Sequence, residues 1–177
     1  MRADSGIGRA AAQESPLRKA GLWYNRSVRH HGETMKLTTY TDFGLRALMF
    51  LALLPPGQRS NVADISTYYD ISRNHMVKVV GQLASLGYVR AIRGKNGGIE
   101  LARAPQEVNV GKVIRELENN LDGIDCSAPY CKLIHVCRLQ RALKAGMEAF
   151  LTAMEDYTLA DLVENREELI TVLKLGE

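Results

Sequence analysis

Residues 72–102 read SRNHMVKVVGQLASLGYVRAIRGKNGGIELA. In the first half of this stretch, apolar residues recur every three or four positions, which predicts an amphipathic helix. Ser72 is a candidate N-cap for this helix, and Gly87 is placed to end it. The second half predicts two short strands, over 88–92 and 99–102, joined by the turn RGKNGG. A helix followed by a basic hairpin is therefore the central unit of the fold.

Two further helices are predicted before this unit. Apolar periodicity predicts one over residues 37–54, ended by Pro55-Pro56. A second is predicted over residues 62–68, entered by Asn61, and a short turn leads from it to the third. Helix, turn, helix and basic hairpin form the element order of a winged helix-turn-helix domain.

After the hairpin, the pattern predicts a short helix over residues 110–118, an irregular loop and a long helix that begins near Arg138. Apolar residues of the long helix are spaced by three or four positions, at Leu139, Leu143, Met147, Phe150, Leu151, Met154 and Tyr157. One more helical turn is predicted from Thr158. We expect a mainly α fold with a small β-hairpin wing, a winged helix-turn-helix domain followed by a long C-terminal helix.

Charge is distributed unevenly along the chain. Residues 35–103 contain nine Lys and Arg against four Asp and Glu, whereas residues 104–177 contain eight against thirteen. A basic middle part indicates contact with a polyanion, although a solvated surface explains the same pattern.

Residues 1–34 lack apolar periodicity, so we expect a flexible N-terminal extension there, with Met35 as a candidate natural start.

Composition excludes several classes of protein. With 46% hydrophobic and 24% charged residues, the chain is typical of globular proteins. Its longest apolar run, residues 47–54, is well short of the roughly 20 residues of a spanning helix, so no membrane segment is predicted. An odd number of cysteines without a signal peptide favours the reducing cytoplasm over a secreted disulfide scaffold. We do not expect the protein to be an enzyme.

The predicted helix-turn-helix supplies candidate DNA contacts. In such a motif, the start of the second helix enters the major groove, where Arg can bind guanine, Asn can bind adenine, and Lys or Ser can hold phosphates. The candidates there are Ser72, Arg73, Asn74, His75 and Lys78. In the hairpin, Arg93 and Lys95 are candidates for the minor groove or its phosphates. Any exposed helix start is polar, but the basic hairpin at this distance favours DNA binding over a protein-interaction surface.

All three cysteines lie in one short segment, as Cys126-x4-Cys131-x5-Cys137. This spacing is too wide for the paired C-x2-C of structural zinc sites. Thiolates so spaced on a loop can surround a larger group, such as an iron–sulfur cluster. A cluster normally has four ligands, so one ligand would not be cysteine. Three buried, reduced cysteines without a metal are the alternative.

Several segments together resemble the winged-helix iron–sulfur regulators of the IscR/NsrR family, over about residues 35–163. They are KLTTYTDFGLRA at 36–47, SRNHMVK at 72–78, RGKNGG at 93–98 and the three cysteines. The x4/x5 cysteine spacing, the start of the recognition helix and YTLADLV at 157–163 resemble the nitric-oxide-sensing NsrR branch of that family. IscR-like members use an x5/x5 spacing and a His three residues after the last Cys, where this chain has Gln140.

The resemblance implies a homodimer joined along the long C-terminal helix, which is then a dimerisation helix. It also implies a [4Fe-4S] cluster, whose ligands would be Cys126, Cys131, Cys137 and Asp42 of the partner subunit. His135 is a rival fourth ligand. The implied function is that of a nitric-oxide-responsive transcriptional repressor, which binds promoter DNA and is released when its cluster is nitrosylated.

The implied domain organisation and two alternatives complete these expectations. The domains are an extension (1–34), a winged-helix DNA-binding domain (35–104), a linker helix with the cysteine loop (105–137), and the dimerisation helix with the tail (138–177). One alternative is an IscR-like regulator of cluster assembly with a [2Fe-2S] cluster, and the other is a cluster carrier that does not bind DNA. Nitric oxide as the effector follows from the resemblance alone, since residue chemistry does not select it over oxygen or iron.

Overall fold

A computed structural model of the protein describes residues 36–95, 97–124, 126, 130–173 and 175. The predicted N-terminal extension and Met35 lie outside the described residues. Within the described part, the chain forms seven α-helices and one two-stranded antiparallel sheet. None of these helices has the length and apolar character needed to cross a membrane.

The elements follow the predicted order, and the predicted fold class is confirmed. The helices are α1 (Thr39–Leu53), α2 (Val62–Tyr68), α3 (Arg73–Ser85), α4 (Val110–Leu117), α5 (Arg138–Glu155), α6 (Leu159–Leu162) and α7 (Arg166–Leu173). The strands of the wing, β1 (Val89–Ile92) and β2 (Gly98–Leu101), lie between α3 and α4. We call α3 the recognition helix, α4 the linker helix and α5 the long helix.

Side-chain hydrogen bonds cap the N-termini of two of the first three helices. Thr38 Oγ1 accepts a hydrogen bond from the Thr41 N–H at the start of α1. Asn61 and Asp64 cap the start of α2 reciprocally. The predicted cap of α3 is wrong in its chemistry, because Ser72 occupies the N-cap position but its side chain makes no capping hydrogen bond. Its backbone φ is −51°, against −127° for Asn61, so the two residues enter their helices differently.

The main core joins the first three helices to the wing. Its fully buried members include Leu48, Phe50, Ile65, Met76, Val79, Leu83 and Tyr88. Leu117 at the end of the linker helix also belongs to this core. It contacts α1 closely, because a Cβ added at Gly44 would lie 2.5 Å from Leu117 Cδ1. The linker helix is thus packed directly against the unit formed by α1, α2, α3 and the wing, which we call the head.

A second, smaller apolar cluster joins the linker helix to the long helix. Val110 and Ile114 of α4 are buried against Leu151 of α5. The linker helix therefore has two apolar faces, one toward the head and one toward the long helix.

The last helix, α7, was not predicted from the sequence. Its first residue, Arg166, donates hydrogen bonds to the backbone carbonyls of Ala52 and Leu53 at the C-terminal end of α1. Helix ends leave such carbonyls without partners inside the helix. Arg166, more than a hundred residues further along the chain, thus supplies hydrogen-bond donors for the free carbonyls at the end of α1. The last turn of α1 itself contains no basic residue.

Candidate nucleic-acid interface and cysteine loop

The residues predicted to read DNA are exposed at the start of the recognition helix. Within its first turn and a half, the exposed polar set is Ser72, Arg73, Asn74, His75 and Lys78. Met76 and Val79 of the same helix are fully buried in the core. The helix therefore has one buried apolar face and one polar face that is available to a ligand.

Val77 is a candidate contact that sequence reasoning missed. Its side chain is 50% exposed, although it lies between His75 and Lys78 at the start of the recognition helix. An apolar side chain in the major groove can contact the methyl group of thymine. The sequence does contain a signal for this contact, because Val77 is apolar but does not fit the spacing of the residues that form the buried face of the helix.

The wing presents its two predicted basic residues near its tip. Arg93 and Lys95 are exposed in the turn between β1 and β2, next to Asn96, which lies outside the described residues. Strand β2 is held by a pair of backbone hydrogen bonds between Ser60 and Ile99, at 3.1 Å and 2.7 Å. The wing is therefore attached to the segment that enters α2.

Glu100 on β2 adds a charged contact beside this pair of backbone bonds. Its carboxylate accepts hydrogen bonds from Arg59 Nε at 2.9 Å and Arg90 Nε at 3.0 Å. These bonds, first that from Arg90, hold the pKa of Glu100 below its usual value. Arg59 thereby links the loop before α2 to β2, the strand of the wing that also pairs with Ser60.

The cysteine loop lies between the linker helix and the long helix. Cys126 is buried, whereas Cys131 and Cys137 are partly exposed, and all three are thiols rather than disulfides. The Cys131 N–H donates a hydrogen bond to the Cys126 carbonyl at 3.0 Å. Cys137 is the N-cap of the long helix, and its sulfur accepts a hydrogen bond from the Gln140 N–H at 3.4 Å.

The donor chemistry of this loop fits an iron–sulfur cluster. Three thiols lie within one segment, and thiolates are the usual ligands of such clusters. No group of three or more His, Cys, Asp or Glu among the described residues could hold a single metal ion. That finding does not oppose a cluster, because cluster ligands bind different iron atoms and need not converge on one point.

The two candidates for a fourth ligand have different surroundings. Asp42 lies in the first turn of α1, and its carboxylate pairs with Arg46 of the same helix at 2.9 Å. His135 is exposed within the cysteine loop itself. The structure of one chain does not bring Asp42 and the cysteines into one metal-binding group.

The linker helix is fastened to the long helix by charge as well as by apolar contact. Arg115 binds both carboxylate oxygens of Glu148, at 2.5 Å and 3.0 Å, and Glu155 Oε1 at 2.8 Å. The bonds from Arg115 lower the pKa of the Glu148 carboxyl. These contacts are exposed and contribute modestly to stability, but their geometry fixes how the two helices lie against each other.

A helix-turn-helix with an exposed polar recognition helix and a basic wing defines a winged-helix DNA-binding regulator. The chain belongs to the Rrf2 family, described as iron-dependent transcriptional regulators, whose family model matches residues 37–165. The match includes the helix-turn-helix, the wing, the cysteine loop and the long helix. Members of this family are transcription regulators that bind DNA.

Three solved structures share the fold. B. subtilis CymR, described as a global cysteine regulator, is 22% identical over 75% of this chain and 98% of its own, with a TM-score of 0.59. Oxidised Staphylococcus aureus CymR is 25% identical over 73% of this chain and 97% of its own, with a TM-score of 0.59. For T. potens IscR the identity is 24%, the coverage 76% and 90%, and the TM-score 0.61.

Proposed function

We propose that the chain is a homodimeric repressor of the NsrR type, which binds promoter DNA and releases it in response to nitric oxide. The observation that carries this proposal is the position of all three thiols in one loop, directly before the long helix. The family's description as iron-dependent regulators supports the same function. The proposed cofactor is a [4Fe-4S] cluster held by Cys126, Cys131, Cys137 and Asp42 of the partner subunit.

The residues of the chain would have separate tasks in this function. The three thiols would hold the cluster, and the Gln140 N–H that contacts Cys137 would orient its sulfur, as outer contacts do in metal sites. When bound, the cluster supplies iron that reacts with nitric oxide. The recognition helix and the wing would hold promoter DNA, which places the protein in the cytoplasm.

The long helix is the proposed dimerisation element. Of its residues only Leu151 is buried within one chain. Small residues are exposed on successive turns, at Ala142, Gly146, Ala149 and Ala153. Small side chains allow two helices to approach closely. In this proposal residues 35–104 form the DNA-binding domain, 105–137 the linker helix with the cysteine loop, and 138–177 the dimerisation helix with the tail.

Removing either predicted arginine contact should weaken operator binding. We expect Arg73→Ala and Arg93→Ala each to cost about 1 to 3 kcal/mol of binding free energy. Arg73→Ala should also relax the preference for one base, because it removes a contact to a base edge. Arg93→Ala should weaken binding to all duplexes alike and reduce its salt dependence, since a phosphate contact is lost.

The control for these variants is Lys112→Ala, which removes the same charge from an exposed position on the linker helix. Fluorescence anisotropy with a duplex enriched from a random library by the wild-type protein gives the affinities. Full affinity in both arginine variants, or an affinity that does not change with salt, would exclude this surface as the DNA-reading site.

Asp42→Ala tests the fourth ligand. If Asp42 binds iron in the partner subunit, the variant should keep the three thiolate ligands but show a changed optical spectrum and a changed operator affinity. The alternative role of Asp42 is that of a helix residue paired with Arg46, worth about 0.3 to 1 kcal/mol. Arg46→Ala removes that pair and leaves the Asp42 carboxylate in place, so it should keep the wild-type spectrum. A wild-type spectrum, operator affinity and nitric oxide response in Asp42→Ala would exclude iron ligation by Asp42, with His135 the next candidate.

Anaerobic native mass spectrometry and a nitric oxide titration test the function as a whole. We expect four iron and four sulfide per chain, and an operator affinity that falls at least about tenfold after nitric oxide, a typical coupling between two sites. Two irons per chain would favour the IscR-like alternative. Failure of the wild-type protein to enrich any duplex would favour the cluster carrier.

A further inference from the structure

Three elements of one chain meet beside the core of the head. Gly44 of α1 lies against Val79 of the recognition helix and Leu117 of the linker helix. A Cβ added at Gly44 would be 3.7 Å from Val79 Cγ1, and closer still to Leu117. This apolar contact sets the distances between the three helices. Apolar contact is non-directional, however, so it does not by itself fix how the recognition helix is tilted.

Directional contacts at the same place come from Tyr40, Gln82, Tyr88 and Glu116, which we call the polar junction. The Tyr40 hydroxyl donates to Gln82 Oε1 at 2.8 Å and lies 3.2 Å from the Lys78 carbonyl oxygen. Gln82 Nε2 donates to the Glu116 carbonyl at 3.4 Å. Gln82 thus bridges α1 and the linker helix through the two ends of one amide.

Tyr88 fixes the remaining side of the junction. Its ring is fully buried, and its hydroxyl donates to Glu116 Oε2 at 2.6 Å. Burial and the bond to Glu116 raise the pKa of Tyr88, and burial raises that of Tyr40. Both hydroxyls therefore remain protonated donors at neutral pH. Glu116 thus accepts two hydrogen bonds. Its backbone carbonyl accepts one from Gln82 of the recognition helix, and its carboxylate accepts one from Tyr88, the residue before β1.

The junction lies next to the start of the cysteine loop. Glu118, two residues after Glu116, accepts hydrogen bonds from the Thr38 N–H at 2.7 Å and from its hydroxyl at 3.1 Å. Thr38 is the N-cap of α1. The end of the linker helix, from which the chain continues into the cysteine loop, is therefore bound to the start of α1.

We propose that the polar junction sets the tilt of the recognition helix for sequence reading, and that Gln82 is its central positioning residue. This inference rests on the proposed function only in that the recognition helix reads DNA. Gln82 lies nine residues beyond Arg73, which is about 14 Å along the helix axis at about 1.5 Å per residue. A tilt of about 10° at Gln82 moves the reading end by about 2 Å, more than the roughly 0.5 Å range of N–H···O distances.

Phosphate contacts tolerate such a shift better than paired contacts to base edges, because long flexible Lys and Arg side chains can follow the backbone. Loss of the junction is therefore expected to lower sequence-specific affinity and to leave non-specific affinity unchanged. A purely structural role would lower stability and reduce both affinities together.

The variants are Tyr40→Phe, which removes one hydroxyl, and Gln82→Leu, which removes both amide bonds and leaves an apolar side chain one atom shorter. Each should lower affinity for a duplex enriched by the wild-type protein about tenfold, with unchanged affinity for a scrambled duplex of equal length and composition. The double variant should lose much less than the sum of the two single losses, because the bond between the two residues is lost only once and Tyr40 retains only its longer contact with the Lys78 carbonyl. Tyr157→Phe is the matched control, as its hydroxyl has no hydrogen-bond partner among the described residues, and it should leave both affinities unchanged.

Three outcomes would overturn the inference: wild-type specificity in both single variants, additive losses in the double variant, or equal losses for the two duplexes together with a lowered melting temperature. Gln82→Glu keeps an acceptor for Tyr40 and should retain more specificity than Gln82→Leu. A wild-type protein that enriches a duplex but does not respond to nitric oxide would contradict the proposed function alone. The ratio of the two affinities would still test the junction.

Discussion

Iron and sulfide are expected to disappear from the anaerobically prepared protein when Cys137 is replaced by serine, while the fold remains. Cys137 is the N-cap of the 18-residue long helix. Serine is a preferred N-cap residue, so Cys137→Ser preserves the start of the helix and removes only the soft ligand. With the thiolate lost, the loop retains two of its three cysteine ligands. We expect a loss of at least about nine-tenths of the iron, and no response of operator binding to nitric oxide.

Cys131→Ser should give the same result, and Cys126→Ala is the suitable change at the third position. Cys126 is only 9% exposed, and a buried thiol behaves as a small apolar group, which alanine replaces without burying a hydroxyl. Lys132→Ala is the control, because it changes an exposed side chain of the same loop that is not a candidate ligand, and His135→Ala tests the rival fourth ligand. Iron and sulfide assays, the visible spectrum and thermal unfolding of the cluster-free proteins provide the measurements. Full iron content in Cys137→Ser would remove it from the ligand set, and iron lost only with His135→Ala would transfer its role to the histidine.

The order of elements was predictable because its determinants are local. Periodicity within ten to fifteen residues, with a Pro-Pro stop after α1 and Gly87 after the recognition helix, specified the helix-turn-helix and the wing. Predicted and observed bounds differ by one or two residues, as for the first helix, expected from 37 and observed from Thr39. Ser72 was an exception, since its residue type predicted a side-chain cap that its backbone conformation does not produce.

Contacts between distant residues could not be predicted in the same way. Arg166 satisfies the end of α1, and Tyr40 contacts Gln82, 42 positions further along the chain. No local pattern indicates such partners, because each residue is polar and partly exposed and would serve equally well on a solvated surface. α7 was missed for the same reason, since its first turn carries two glutamates and it has no buried residue.

The candidate site also combines features that are local in the sequence with one that depends on a distant contact. The cysteine spacing and the polar start of the recognition helix are local features: the cysteines lie between the linker helix and the long helix, and the polar residues are exposed. Their roles as cluster ligands and DNA contacts stay predictions. The assignment of Asp42 involves a second copy of the chain, and its position in one chain, beside Arg46, is equally suited to a helix residue without a metal. It therefore stays a prediction, to be tested by the spectra of the Asp42 and Arg46 variants.

Gly111→Ala is expected to cost about 3 kcal/mol of stability and to separate the linker helix from the long helix. A Cβ at this position would lie 2.5 Å from Glu155 Cγ, 2.6 Å from Glu155 N and 2.8 Å from the Leu151 carbonyl oxygen. Two of these atoms belong to the backbone of α5 and cannot rotate away, so the helices must move apart. The Arg115 contacts with Glu155 and Glu148 would lengthen with them.

The matched control is Gly81→Ala on the recognition helix, where an added Cβ meets no atom within 4 Å. Alanine is the better helix former, so this variant should gain about 0.5 to 1 kcal/mol. The two Gly→Ala changes should therefore differ by about 4 kcal/mol, and thermal or urea unfolding at one protein concentration measures the difference. Because the linker helix joins the long helix to the head, Gly111→Ala should also reduce the effect of nitric oxide on operator affinity at temperatures where the protein is still folded. Equal stability of the two variants would show that the linker helix and the long helix separate without cost, and close packing between these two helices would then be excluded.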